Sequence, residues 1–163
     1  MTEMMDVAGL GAGAVVVGVD GSASARTALA TALREAALRS APVLAVTTYD
    51  PPDRWAPEAA GLVDLEAIER ELRVETETAV TEVAREVEAA GVAVGEVRIV
   101  VAAGSAADVL CRIATGAQLL VVGHRGRGAL ATRLIGSVGL GVVVHASCPV
   151  LVVRTTATTP EAR

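Results

Sequence analysis

Lysine is absent from this chain: all 14 of its basic residues are arginine. A Walker A phosphate loop needs its lysine against the β/γ-phosphates, and Schiff-base chemistry needs a lysine amine, so both are excluded. Phenylalanine is missing as well, and tryptophan and tyrosine occur once each. That depletion argues against nucleic-acid modules that stack bases on aromatic platforms. The core must come from valine, leucine, isoleucine and alanine. Cysteine is scarce: Cys111 and Cys148 stand far apart, each in an apolar run. Such a pair reads as two buried small hydrophobes in a reducing compartment, not as a disulfide framework or a metal site. No apolar run reaches the roughly 18 residues that span a bilayer. The N-terminal stretch carries Glu3 and Asp6 in place of the basic residues of a secretory signal. The expectation is a soluble, cytoplasmic protein. Catalytic signatures are lacking too: there is no G-x-S-x-G elbow, no H-E-x-x-H and no clustered metal-ligand spacing.

What is present suits a single globular domain. The 163 residues are 52% hydrophobic and 20% charged, enough to enclose one core. The formal net charge is -5, which argues against generic attraction to nucleic acid or anionic membrane. Charge is unevenly spread. Acids dominate between Asp50 and Ala90, as on a solvated helix face, whereas Val109 to Pro160 holds no acid but five arginines: Arg112, Arg125, Arg127, Arg133 and Arg154. That acid-free third has room for a small anion.

Hydrophobic patterning alternates strand and helix. "AVVVGVD" (Ala14–Asp20) is a continuous β-branched run, and a helix follows it, capped by Ser22 or Ser24. "PVLAVTTY" (Pro42–Tyr49) is a second strand, and "DPPDRWAPEAAG" a loop. A long helix comes next, with Leu65, Ile68, Leu72, Ala79, Val83 and Val87 on one face and Gly91 at its end. "EVRIVVA", a short helix opened by Ser105, "AQLLVVG", the helix "GSVGLGVVVHAS" and "CPVLVVR" complete the order β-α-β-α-β-α-β-α-β. The domain is expected over residues 13–155, with residues 1–12 and 156–163 as flexible tails. Strands that are apolar throughout and alternate with helices define an α/β fold: one open, five-stranded parallel sheet covered on both faces. In such a sheet the ligand sits at the C-terminal strand ends, at the topological switch point. Asp20 ends the first strand and Gly123 the fourth, so both would face one crevice if those strands flank the switch.

The segment "GHRGRGALATRLIGSV" (Gly123–Val138) follows that fourth strand. Glycine at Gly123, Gly126 and Gly128 lets backbone N–H groups approach phosphate oxygens. Gly136-Ser137 opens a helix whose first N–H groups and dipole favour an anion. Taken singly, Gly123 reads as a βα turn and Ser137 as a cap; their joint spacing favours phosphate binding.

Together, "VVVGVDGSASARTAL", "GSAADVLCRIA" and "AQLLVVGHRGRGALATRLIGSVGLGVVVHASCPVLVVR" resemble the universal stress protein family over nearly the whole chain. The spacing Gly123-x-x-Gly126, nine residues, then Gly136-Ser137, resembles the pattern of its ATP-binding members. The resemblance implies strand order 3-2-1-4-5 in a Rossmann-like, adenine-nucleotide-binding sheet. It also implies homodimers paired through the last strand, Pro149 to Val153, and a regulatory ATP-binding role in stress response with at most slow hydrolysis. ATP would bring any Mg²⁺ through its phosphates. By this similarity Asp20 meets the ribose hydroxyls or the adenine edge, the strand end near Thr48 faces adenine, and Val138 joins Ser137 at the phosphates. Asp20 reads equally as a helix cap. Arg125, Arg127 and Gly104 are auxiliary, Gly104 serving first as a turn. Two residues depart from the pattern: His124, expected to be a solvent-exposed loop histidine, and Gly139, where a phosphate-touching hydroxyl is usual. A dimeric interaction protein without nucleotide is the alternative reading.

Overall fold

The computed structural model describes residues 7–51, 61–126 and 135–155. Nine elements alternate along the chain: β1 (Val15–Gly18), α1 (Ala23–Arg39), β2 (Val43–Tyr49), α2 (Leu65–Ala89), β3 (Val97–Ala103), α3 (Ala106–Ile113), β4 (Leu119–Gly123), α4 (Ser137–His145) and β5 (Val150–Val153). The strands form one sheet in the order β3-β2-β1-β4-β5, every pairing parallel. In register, Val15 stands between Val43 and Leu119 at the centre of the sheet.

Apolar residues at every strand position are what a sheet buried on two faces requires. Side chains alternate across the strands, so the central positions divide between two cores. Val15 and Val17 of β1, with Leu119 and Val121 of β4, pack under α1 and α2 against Leu29, Leu33, Val83 and Val87. Val16, Leu44, Val46, Leu120 and Val122 pack on the other face against Leu110, Ile113 and Val142. Each fully buried Val or Leu contributes about 1.5–3 kcal/mol relative to an exposed one, so the centre of the sheet anchors both layers.

The helices start and stop for local reasons. Ser22 caps α1, its hydroxyl accepting from Ala25 N–H at 3.1 Å. Ser40 ends that helix in the left-handed region at φ 50°. Asp64 caps α2 through Ala67 N–H at 3.0 Å. Only Thr76, Val80, Val83 and Val87 of α2 are buried. Leu65, Ile68, Leu72 and Ala79, expected on its core face, are half-buried, Leu72 and Ala79 lining a small surface recess beside the end of β2. In α4, Gly141 is explained by close packing: a Cβ there would lie 2.7 Å from the Ala107 side chain on α3.

One expectation needs correction. Residues 7–12 are not a tail. Gly9 N–H donates to Arg112 O and Gly11 N–H to Ile113 O, both at 2.9 Å, and Val7 is buried against the core under α3. The last carbonyls of α3 need partners, and this segment supplies them.

Candidate functional site

The strand order reverses between β1 and β4, the two central strands, whose connections leave in opposite directions. A crevice of about 470 Å³ opens there, within the range typical of small-molecule sites. β1 supplies Gly18, and Val19 and Asp20 follow it; β2 supplies Val46 and Thr48; α3 supplies Ala106 and Leu110. The far wall is Val122, Gly123, Arg125 and Gly126 at the end of β4, with Gly136, Ser137, Val138 and Gly139 at the start of α4.

Of the residues singled out from sequence, Asp20, Thr48, Gly123, Arg125, Gly126, Gly136, Ser137 and Val138 all line this one crevice. Arg127 and Gly128 lie outside the described residues. Gly104 is elsewhere: at φ 135° it turns the chain after β3 and donates to Tyr49 O at 2.8 Å, and it is not a lining residue.

The local geometry separates two kinds of glycine. A Cβ at Gly123 would strike the hydroxyl of Ser24 and come within 2.8 Å of the Ser24 carbonyl carbon. Gly123 is therefore required by the first turn of α1, whatever the crevice holds. A Cβ at Gly126 would lie 2.8 Å from an Asp20 carboxylate oxygen, so the chain after β4 passes directly over that carboxylate. A Cβ at Gly136 would make only ordinary van der Waals contacts, the nearest with His124 O at 3.5 Å.

Asp20 is not the N-cap of α1, a role that Ser22 takes. Its Oδ1 accepts from Ser22 N–H at 2.9 Å, which fixes the entry to α1, and its carboxylate borders the crevice. Thr48 shares a sheet face with Val46, while the preceding Thr47 is buried on the other. Thr47 Oγ1 lies 3.0 Å from Val19 O and 2.7 Å from Thr76 Oγ1, which itself donates to Leu72 O. This chain of hydroxyls ties the ends of β1 and β2 to α2 beside a smaller recess of about 170 Å³.

At the other wall, Gly136 N–H is spent on His124 O at 2.7 Å. The first-turn N–H groups of α4, on Ser137, Val138 and Gly139, have no partner within the helix and open on the crevice. With the positive end of the helix dipole they form an anion-attracting rim.

One residue that carries the geometry was not legible from sequence. His124 is not a solvent-exposed loop residue: it is 8% exposed, and its Nδ1 lies 3.1 Å from Ser24 Oγ. Its neighbour Gly123 lets α1 approach closely enough to cover it. His145 is on α4, bonded to Gly141 O at 2.9 Å. Among the described residues neither imidazole bonds Ser137, and no three His, Cys, Asp or Glu side chains group as metal ligands.

A doubly wound α/β domain with a glycine-walled crevice at its switch point is the class these observations define. The universal stress protein family model matches residues 12–154, and the chain belongs to that family. A universal stress protein of Thermus aquaticus is 33% identical over 144 residues, covering 86% of this chain and 97% of that protein. One from Mycobacterium tuberculosis is 32% identical over 149 residues, covering 85% of this chain and 47% of the relative. The chain thus spans about half the length of several curated relatives it matches. A crystal structure of a universal stress protein in complex with cAMP aligns with TM-score 0.59 and 30% identity, covering 90% of this chain and 99% of that one. Among the described residues no helix is long and apolar enough to cross a membrane.

Proposed function

We propose that the crevice binds an adenine nucleotide, ATP by preference, and that the protein is a nucleotide-dependent regulatory member of its family acting in stress response. The observation that carries this reading is the meeting of Gly126, Gly136 and Ser137 with Asp20 and Thr48 around one crevice of about 470 Å³. Phosphates would lie on the N–H groups of Ser137, Val138 and Gly139, with Arg125 beside them. The ribose would face Asp20 and the base the end of β2 at Thr48. Any Mg²⁺ would arrive on the phosphates. The relative bound to cAMP, similar over nearly its whole length, supports an adenine nucleotide as the ligand class.

We also propose pairing of two copies through β5. Leu120 N–H donates to Pro149 O and His124 N–H to Val153 O, so these carbonyls face β4. Val150 and Val152 then turn their backbone groups outward along the open edge of the sheet.

The competing reading is a dimeric interaction protein without nucleotide. Leu140, Val143 and Val144 on α4, each more than half exposed, favour it by offering an apolar face beside β5. Calorimetric titration with ATP and with cAMP separates the two. The nucleotide reading expects saturable binding to one site per chain, lost in Gly136→Val, whose side chain fits the backbone but fills the crevice. Heatless titrations with both nucleotides would favour the interaction protein.

A further inference from the structure

We propose that His124 is a positioning residue: paired with Ser24, its buried imidazole sets where Arg125, Gly126 and Gly136 present their backbone to the crevice. A buried polar ring is costly unless it is hydrogen-bonded, and here the bond is made. Ser24, in the first turn of α1, is itself only 6% exposed, and its Oγ lies 3.1 Å from His124 Nδ1. The same Oγ accepts from Arg125 N–H at 3.4 Å. Its own proton is then free for Nδ1, an arrangement that satisfies the hydroxyl, Nδ1 and the Arg125 amide together.

The backbone of His124 completes the junction. Its N–H donates to Val153 O at 2.8 Å, and its carbonyl accepts from Gly136 N–H at 2.7 Å. One residue thus joins the end of β4 to α1, to β5 and to the N-cap of α4. Two of the residues so fixed, Arg125 and Gly136, line the crevice together with the adjoining Gly126, while His124 and Ser24 do not. The pair acts on a ligand only through those neighbours. The absence of a side chain at Gly123 makes this contact feasible, since any Cβ there would occupy the place of the Ser24 hydroxyl.

The consequence for affinity rests on the nucleotide reading above; the positioning itself does not, so the test has two readouts on the full chain. The first is residue-resolved amide hydrogen exchange without nucleotide in wild type, His124→Leu, Ser24→Ala and His124→Asn. Leucine fills the buried space without a polar atom. Asparagine places a polar side-chain atom at the same bond separation from the backbone as Nδ1. The expected result is exchange up to about tenfold faster at Arg125 and Gly136 in the first two variants, as for loss of one hydrogen bond. Leu120 and Val121 should be unchanged, and His124→Asn should stay near wild type. Unchanged exchange in His124→Leu, or an equal rise at Leu120 and Val121, would overturn the proposal.

The second readout is ATP affinity by titration. It should fall about tenfold in His124→Leu and recover in His124→Asn, one hydrogen bond's share of the binding. Equal affinity in wild type and His124→Leu would overturn the proposal. A wild type that protects these amides yet binds no ATP would support the positioning role and contradict the nucleotide reading.

Discussion

Among the described residues Ser137 is the one hydroxyl at the N-terminal rim of the crevice, exposed at the first position of α4. If it bonds a ligand phosphate, Ser137→Ala removes about 0.5–1.5 kcal/mol of binding, up to roughly tenfold in Kd. Titration with ATP would show this without a change in melting temperature. Gly139 lies on the same rim and is buried. A Cβ there would meet Ile135 Cγ1 at 3.0 Å, a side-chain atom that can yield. Gly139→Ser should therefore tighten ATP binding by a similar factor and stabilise α4 slightly, since glycine is a poor helix former. Weaker binding in that variant would show that the phosphates do not reach this turn. Gly123 stands in contrast: Gly123→Ala should cost about 1–3 kcal/mol of stability, because the clash is with the Ser24 backbone. Denaturant unfolding measures it, and an unchanged midpoint would contradict the packing described.

The two thiols belong to this scale as well. Burial pushes Cys111 up from the usual thiol range, and the neighbouring Asp108 and Cys148 add to it. Burial also pushes Cys148 up, against the opposing effect of backbone hydrogen bonds from Cys148 and Leu120. A raised thiol holds its proton further into the alkaline range, so less thiolate is present at neutral pH. Iodoacetamide should label native protein several-fold more slowly than unfolded protein near pH 7, and the gap should narrow as pH rises. Fast labelling of the native protein at pH 7 would contradict the burial.

At the scale of the element, strands announced themselves and helix ends partly did. Runs such as "AVVVGVD" and "AQLLVVG" have no polar face, and only a strand buried on both sides accepts such a pattern. The parallel sheet followed from alternation alone, whereas the order β3-β2-β1-β4-β5 came from resemblance. Ser22 rather than Ser24 caps α1, a choice sequence left open because both are good caps at the head of the same helical run. That choice releases Ser24 to turn inward, and nothing local in the sequence marks His124, a hundred residues away, as its partner. The same reasoning applies to Gly123: a turn glycine and a packing glycine look alike until α1 is placed. Residues 7–12 read as a tail because "VAGLGA" has no period; their order comes from the unpaired carbonyls that end α3.

For the whole molecule, the proposed pairing through the open edge of β5 is tested by proline substitution. A dimer paired there would be disrupted by Val152→Pro, which removes an outward N–H from an edge strand that tolerates proline. Sedimentation should shift from dimer to monomer while nucleotide binding persists; an unshifted dimer would place the interface elsewhere, with the exposed Leu140, Val143 and Val144 as the next surface to test. The crevice was legible from sequence in its residues but not in its walls. Asp20 and the glycines after β4 were found by pattern, and Thr48 by resemblance. Val46, Ala106 and Leu110 were not, since their apolar types are indistinguishable from core. The central claim is that this crevice holds an adenine nucleotide, and its most direct test needs no variant. The protein would be purified without added nucleotide and denatured, and the supernatant chromatographed for adenine nucleotides, with an empty extract followed by titration with Mg-ATP. Near-stoichiometric ATP, or saturable uptake of it on titration, is the predicted result; an empty extract and no uptake would contradict the account.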